Sequence, residues 1–297
     1  MIANLVVVGV GLIGGSFARA LKERGRVGRV VGVGRGRANL DAALKLGLID
    51  EIAEDAKRAF AAADFILVAT PVGQMRQAFD RIAPVLKAGA VVTDAGSTKS
   101  DVVDIARSAF GAKFGQFVPA HPIAGAEETG AHAARGDLYE GKKVVVTALP
   151  ETDAACVALV EAAWRACGAR IFAMAPDLHD KTFAAVSHLP HVLAFALVDE
   201  IAGKPHADTL FRYAASGFRD FTRIAGSSPE MWRDISLANR DALLCEIDAY
   251  VKRLAEVRAM IERRDAAALD GVFSNARRAR QEWLDSIEVP ALPSRDA

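Results

Sequence analysis

The chain has 297 residues, 52% of them hydrophobic and 25% charged, the composition of a globular protein long enough for two domains with separate cores. Its 37 Lys and Arg balance 37 Asp and Glu, so no electrostatic footprint for nucleic acid or for an anionic membrane is expected. Apolar stretches are broken by glycine or charge well short of a membrane span, and residues 1–4 carry no basic leader. The cysteines, Cys156, Cys167 and Cys245, are scattered without a Cys-x-x-Cys pair, so the expectation is a cytoplasmic protein with free thiols.

Leu5 to Val8 is a short apolar run bounded by glycine, the pattern of a buried strand. Gly9-x-Gly11-x-x-Gly14 follows at once, and a helix-forming stretch over Phe17 to Glu23 comes next. In a strand–turn–helix of this kind the first glycine permits the tight turn and the second lets backbone approach a pyrophosphate. The third lets helix pack closely on strand. Free N–H groups and the positive dipole end of the helix then face the anion. Gly9, Gly11, Leu12, Ile13 and Gly14 are therefore candidate cofactor-binding residues, the alternative being an ordinary βα turn.

Arg29 to Gly34 predicts a second strand, at whose end such folds place an acid that accepts hydrogen bonds from the ribose 2′-hydroxyl. Here Gly34 holds that place, followed by Arg35 and Arg37, whose guanidinium groups suit a 2′-phosphate. The expectation leans towards NADP, with NAD also open and solvated loop arginines as the alternative. Asn39 to Leu46 predicts a helix, and Ala63 to Ala69 a strand ended by Thr70-Pro71, which would line the cofactor crevice. Met75 to Leu86 reads as a helix, Ala90 to Ala95 as a strand, and Gly96-Ser97-Thr98-Lys99 opens another helix. Strand and helix in alternation imply a doubly wound parallel sheet.

Phe117 to Gly125 breaks the alternation and places His121 on a proline-rich loop after a short strand. Lys143 to Leu149 and Ala169 to Phe172 predict further strands, with a helix over Asp153 to Cys167 between them. From Pro176 no strand is evident, and helical periodicity runs through Leu178 to Ala202, Phe211 to Ile224, Met231 to Arg264 and Ala266 to Ile287. The expected architecture is a Rossmann-like domain over 1–175, an all-α domain over 176–288 and a frayed tail over 289–297, with no room for a regulatory domain. The long helices carry more apolar residues than a small helical domain hides alone, so a homodimer is expected through them.

The motifs GVGLIGGS, DAGSTK, HPIAGAE, LYEGKKVVVT, SHLPH and GFRDFTRIAGSSPEMWRDI, in this order from Gly9 to about Trp283, resemble those of the prephenate dehydrogenases, including arogenate and cyclohexadienyl types. The resemblance implies oxidative decarboxylation of prephenate to 4-hydroxyphenylpyruvate in tyrosine biosynthesis, with NAD(P) as hydride acceptor. It also implies dimerisation through the helical domain. Under it, His121 binds the ring hydroxyl and assists its deprotonation, as suits a group whose pKa lies near working pH. Ser97 is implied to hydrogen-bond both His121 and that hydroxyl, with Ser100 as rival because the spacing to His121 is a little longer than in some relatives. His188 and His191 would line the substrate pocket, Arg223 would clamp a substrate carboxylate, and Trp232 would cover the pocket from the partner subunit, the alternative being a core tryptophan. Two histidines three apart lack a third ligand, so no metal is expected.

Prephenate and arogenate differ only in a keto or amino group, and no motif separates them. Competitive inhibition by tyrosine is the expected form of regulation. The rival functions are another two-domain dehydrogenase of the β-hydroxyacid or imine-reductase kind, or a non-catalytic NADP-binding sensor, which would lack a proton-handling histidine in the crevice.

Overall fold

The computed structural model describes residues 1–126 and 128–288; Glu127 of HPIAGAE and the expected tail 289–297 lie outside the described residues. In chain order the elements are β1 (Ile2–Val8), α1 (Leu12–Glu23), β2 (Val27–Val33), α2 (Arg37–Lys45), β3 (Glu51–Ile52), α3 (Ala56–Ala62), β4 (Phe65–Val68), α4 (Met75–Ile82), β5 (Val91–Asp94), α5 (Ser100–Phe110) and β6 (Phe117–Val118). There follow β7 (Ala120–Ile123), β8 (Lys143–Val146), α6 (Ala154–Ala166), β9 (Arg170–Ala173), α7 (Pro176–Phe183), α8 (Leu189–Ala202), α9 (Ala207–Arg212), α10 (Ser216–Thr222), α11 (Pro229–Ala238), α12 (Arg240–Glu262) and α13 (Ala266–Glu288).

Strands β1 to β6 form one six-stranded sheet in the order β3-β2-β1-β4-β5-β6, every pair parallel. Parallel strands buried on both faces read as continuous apolar runs, which is why Leu5–Val8 and Phe65–Val68 show no alternation in sequence. The alternation is in space. Leu5 and Val7 of β1 pack with Phe17, Leu21 and Trp164 on one face, while Val6 and Val8 pack with Phe79, Phe110 and Phe117 on the other.

A second, three-stranded sheet runs β7-β8-β9, with β7 antiparallel to β8 and β8 parallel to β9. His121 therefore sits in a strand opposite Val145, not on the loop that its flanking prolines suggested. Proline tolerates an edge strand, and β7 is one.

The helical region departs from the sequence reading in two places. Between α7 and α8, Ala184–His188 form a single π turn. Pro190 lacks the N–H that would bond one turn back, and the widened turn accommodates that loss. The helix expected over Met231 to Arg264 is broken at Asn239, whose side-chain amide is drawn inward to the Asp180 carbonyl at 2.7 Å. By contact density Met1–Leu243 form one compact unit and the chain from Leu244 a second. The first extends past Pro176 because Trp232 and Ile235 of α11 join the core on the second face of the sheet. In the second unit Val251, Leu254, Ile261, Phe273 and Trp283 are exposed.

Contrary to the expectation that every apolar stretch falls short of a membrane span, Pro176–Ala202 is long and apolar enough to cross a membrane by length and composition. Of its polar side chains His179, Asp180 and His188 are buried, whereas Asp177, Lys181, Asp199 and Glu200 are exposed.

At the end of β5, Asp94 and Lys99 form an ion pair from which solvent is wholly excluded. Asp94 also accepts the Gly96 amide at 2.7 Å and the Ala120 amide at 3.1 Å. Asp94→Asn leaves the Lys99 ammonium buried without its counter-charge, so urea unfolding should show a loss of about 3–5 kcal/mol.

Candidate active site

The crevice expected of the glycine-rich turn is present at the carboxyl ends of the parallel strands, as a cavity of about 530 Å³. Gly9, Gly11, Gly34, Arg35, Thr70 and Pro71 line it. Gly9 has a φ of +93°, and a Cβ there would lie 2.6 Å from the Ala69 carbonyl oxygen. A Cβ on Gly14 would lie 2.2 Å from the Gly9 carbonyl oxygen and 2.7 Å from Val7, so helix and strand touch at that glycine. Gly11 is different. Its Cβ would meet only the Gly130 amide nitrogen, at 3.9 Å, leaving the backbone open to a ligand.

The first intrahelical bond of α1 runs from the Gly15 amide to the Gly11 carbonyl, so the amides of Leu12, Ile13 and Gly14 are left for an anion. The side chains of Leu12 and Ile13 pack against the core instead of lining the crevice. Any contact they make with a cofactor is through backbone. Asn39 was not foreseen. It donates to the Val10 carbonyl at 2.7 Å and accepts the Ala131 amide at 2.8 Å, tying the glycine turn to the 130–131 loop across the crevice.

The two arginines part company. Arg35 is in the crevice wall, exposed and 3.7 Å from Glu230 of α11. Arg37 is not among the lining residues; it pairs with Asp41 one helical turn on at 2.9 Å, the solvated arrangement left open by the sequence. Arg81 and Gln77 of α4, unmarked by any motif, do line the crevice. The crevice suits a dinucleotide on a further ground: Thr70 Oγ1 and Gln74 Nε2, both in its wall, are buried without hydrogen-bond partners among the described residues.

Beyond the end of β5, four imidazoles cluster with α5, α7 and α11. His121 Nδ1 lies 2.8 Å from His179 Nε2, and His179 Nδ1 lies 2.8 Å from Asp180 Oδ1. Asp180 accepts the Lys99 amide on Oδ1 and the Ser100 amide on Oδ2, both at 2.8 Å, at the start of α5. Phe183 packs against both rings, its centroid 5.0 Å from His121 and 4.4 Å from His179.

Burial, with smaller contributions from His179, Lys99 and His188, holds His121 well below the ordinary histidine value. His121 is therefore a neutral base further into the acid range than its residue type implies. Asp180 stays ionised: burial alone would raise it, but the His179 bond and the Ser100 and Lys99 contacts bring it below the carboxylate norm.

His188 is 1% exposed and braced on both sides. Asn239 Nδ2 donates to its Nδ1 at 3.0 Å and the Ser97 backbone lies against the ring, while burial brings its pKa down to about 4. His191 Nδ1 donates to the Ser187 carbonyl at 2.8 Å, and its ring stacks on Trp232 with centroids 3.6 Å apart. Burial is the main cause of its lowered pKa, and nearby Arg223 adds to it. Arg223, in the turn after α10, is exposed on that side of the cluster. Trp232 is thus seated in its own chain, 8% exposed and packed in the core, with no second copy needed to bring it to His191.

Ser97 meets the cluster through its backbone at His188, and Ser100 through both its side chain and its backbone amide at Asp180, while His121 Nδ1 is committed to His179. No group of three or more metal-ligating side chains occurs among the described residues.

A dinucleotide crevice and a half-buried neutral imidazole, on a parallel sheet followed by helices, define an NAD(P)-dependent oxidoreductase. Two family models divide the chain between them: the nucleotide-binding domain of prephenate dehydrogenase matches residues 17–173 and its dimerization domain residues 175–275. The chain is 36% identical over 296 residues to the prephenate dehydrogenase of Bacillus subtilis, covering 98% of this chain and 78% of that one. It is 34% identical over 279 residues to the cyclohexadienyl dehydrogenase of Zymomonas mobilis, covering 93% and 94%. A crystal structure of prephenate dehydrogenase from A. aeolicus, in complex with hydroxyphenyl propionate and NAD+, superposes with a TM-score of 0.89 at 37% identity, covering 95% of this chain and 98% of that one. The chain belongs to the prephenate dehydrogenase family.

The glycines separate binding from folding. Gly11→Ala should leave the unfolding midpoint unchanged while weakening NAD(P) binding by about tenfold, some 1.4 kcal/mol, in a fluorescence titration. Gly14→Ala should instead cost about 1–3 kcal/mol of stability, because the added methyl meets backbone that cannot yield.

Proposed function

We propose that this chain catalyses the oxidative decarboxylation of prephenate to 4-hydroxyphenylpyruvate, with arogenate as its amino counterpart, in tyrosine biosynthesis. The observation that carries the reading is His121, an imidazole kept neutral by burial, in a chain whose parallel sheet also holds a glycine-rich dinucleotide crevice. The bound nicotinamide supplies the hydride acceptor. His121 Nε2, the ring nitrogen not committed to His179, takes the proton of the ring hydroxyl as that oxygen becomes a carbonyl. The ring carboxylate departs as CO2, and its bonding electrons restore aromaticity. Ser97 is assigned the substrate hydroxyl. Arg223, whose planar fork matches a carboxylate, is assigned the substrate's acid group, with His191 and Trp232 as the adjoining wall. His188, buried and bonded to Asn239, braces that wall more than it touches substrate.

The helical domain is proposed to begin at 176, and a second copy of the chain to cover the apolar residues of α12 and α13, giving a homodimer. Tyrosine, an aromatic amino acid that shares the product's phenol ring, is proposed to compete for the same pocket. A cytoplasmic location is consistent with the unpaired cysteines.

His121→Asn should fold and bind cofactor yet lose at least about a hundredfold in turnover, the scale of a lost general base. In the wild type, kcat should stay level as pH falls from 8 to about 6.5 and decline only below that, because protonation of the buried ring is deferred. A decline centred on the ordinary histidine value would contradict the assignment.

NADP should be used at least as well as NAD, since no acid follows β2 and Arg35 stands in the crevice wall. Gly34→Asp combined with Arg35→Ile should shift the ratio of kcat/KM values towards NAD by about tenfold or more. Wild-type enzyme that uses NAD and ignores NADP would refute this preference.

A further inference from the structure

We propose that His179 and Asp180 form a proton relay behind His121, fixing which ring nitrogen is the base and receiving the charge as the base works. The proposal rests on the reading of His121 as the base and adds what lies behind it. An ionised carboxylate only accepts hydrogen bonds, so His179 Nδ1, 2.8 Å from Asp180 Oδ1, carries a proton. A buried neutral His179 then has its lone pair on Nε2, and the atom facing it at 2.8 Å, His121 Nδ1, must be the donor. That leaves the lone pair of His121 on Nε2. The tautomer of the base is thereby dictated from a carboxylate two bonds away.

The same line moves a proton. As the substrate O–H bond breaks, its proton bonds to His121 Nε2. The proton on His121 Nδ1 passes to His179 Nε2, whose Nδ1–H remains shared with Asp180. The substrate has lost one proton, the imidazole pair has gained one, and the positive charge rests beside the carboxylate. The pair returns its proton to solvent when product leaves.

The surroundings favour this direction. His121 faces His179, Lys99 and His188, all of which oppose a charge on it. His179 faces Asp180 and Asp94, which favour a charge, and Lys99, which opposes it and is itself paired with Asp94. Asp180 is held by two backbone amides at the start of α5, and its own carbonyl accepts the Asn239 amide at 2.7 Å, so it cannot swing away from His179. His179 is a positioning residue in this scheme: it touches the base and never the substrate.

Two measurements test the relay. In wild-type enzyme labelled with 15N-histidine, the ring-nitrogen shifts should show His121 as the Nδ1–H tautomer at neutral pH; an Nε2–H tautomer overturns the proposal without recourse to any variant. In His179→Gln the amide oxygen still accepts from His121 Nδ1 but cannot take its proton. Turnover should fall about tenfold or more, with KM for prephenate within about twofold of wild type. The acid limb of kcat should move to lower pH, since protonated His121 no longer shares its charge with a ring beside Asp180. Loosened packing alone would change KM or thermal stability and leave that limb in place. Unaltered turnover and limb in His179→Gln, with His121→Asn inactive, overturn the relay alone; an active His121→Asn overturns the base assignment beneath it.

Discussion

The buried ion pair of Asp94 and Lys99 is the interaction on which the site depends. A charge taken out of water is tolerable only when every lone pair and proton finds a partner. Asp94 satisfies this by accepting from Gly96 and Ala120 as well as from Lys99, binding β5, the turn after it and β7 into one unit. Lys99 in turn presents its backbone amide to Asp180, and Asp180 its carbonyl to Asn239. A strand, a helix start and two later helices are thus registered against one another by polar contacts that a shift of about 1 Å would break. His121, next in sequence to Ala120, inherits its position from this arrangement.

The electrostatic character of the cluster follows from its dryness. His121, His179, His188 and His191 are all depressed, and burial is the largest cause in each. A base in such surroundings stays unprotonated but resists becoming charged, a conflict that any proton-abstracting imidazole in a dry site must resolve. The ionised Asp180, held at a helix start by backbone amides, favours a cation on the adjacent His179 ring, and Asp94 adds to it.

Helix α11 links the two halves of the site. Glu230 approaches Arg35 at the crevice, a Cβ on Gly73 would touch Asp234, and Trp232 stacks on His191. One helix, far along the chain from the glycine turn, therefore touches both a residue of the crevice wall, Arg35, and the histidine cluster. For the same reason contact density keeps α11 with the sheet although the sequence changes character at Pro176.

What the sequence determined by itself is what local rules govern. Three glycines at fixed offsets after an apolar run specify a strand–turn–helix, because each answers a steric demand within a few residues. Parallel strands announce themselves by unbroken apolar runs, and the motifs around His121, His188 and Arg223 sufficed for the family. The tertiary structure alone decided the rest. His121 meets His179 across 58 residues, Asp180 meets Ser100 across 80, and Asn239 meets Asp180 across 59. No periodicity relates such positions, and His179-Asp180 reads in sequence as an ordinary polar pair in a helix. DAGSTK marked Ser97 yet gave no sign that Asp94 and Lys99 would be buried, since burial is a property of what packs above them. Arg35 and Arg37 were equivalent in sequence; only the path of α2 set one in the crevice wall and the other against Asp41. Hydrogen bonds between distant segments depend on the whole fold being in register, and a one-dimensional pattern carries no coordinate for that.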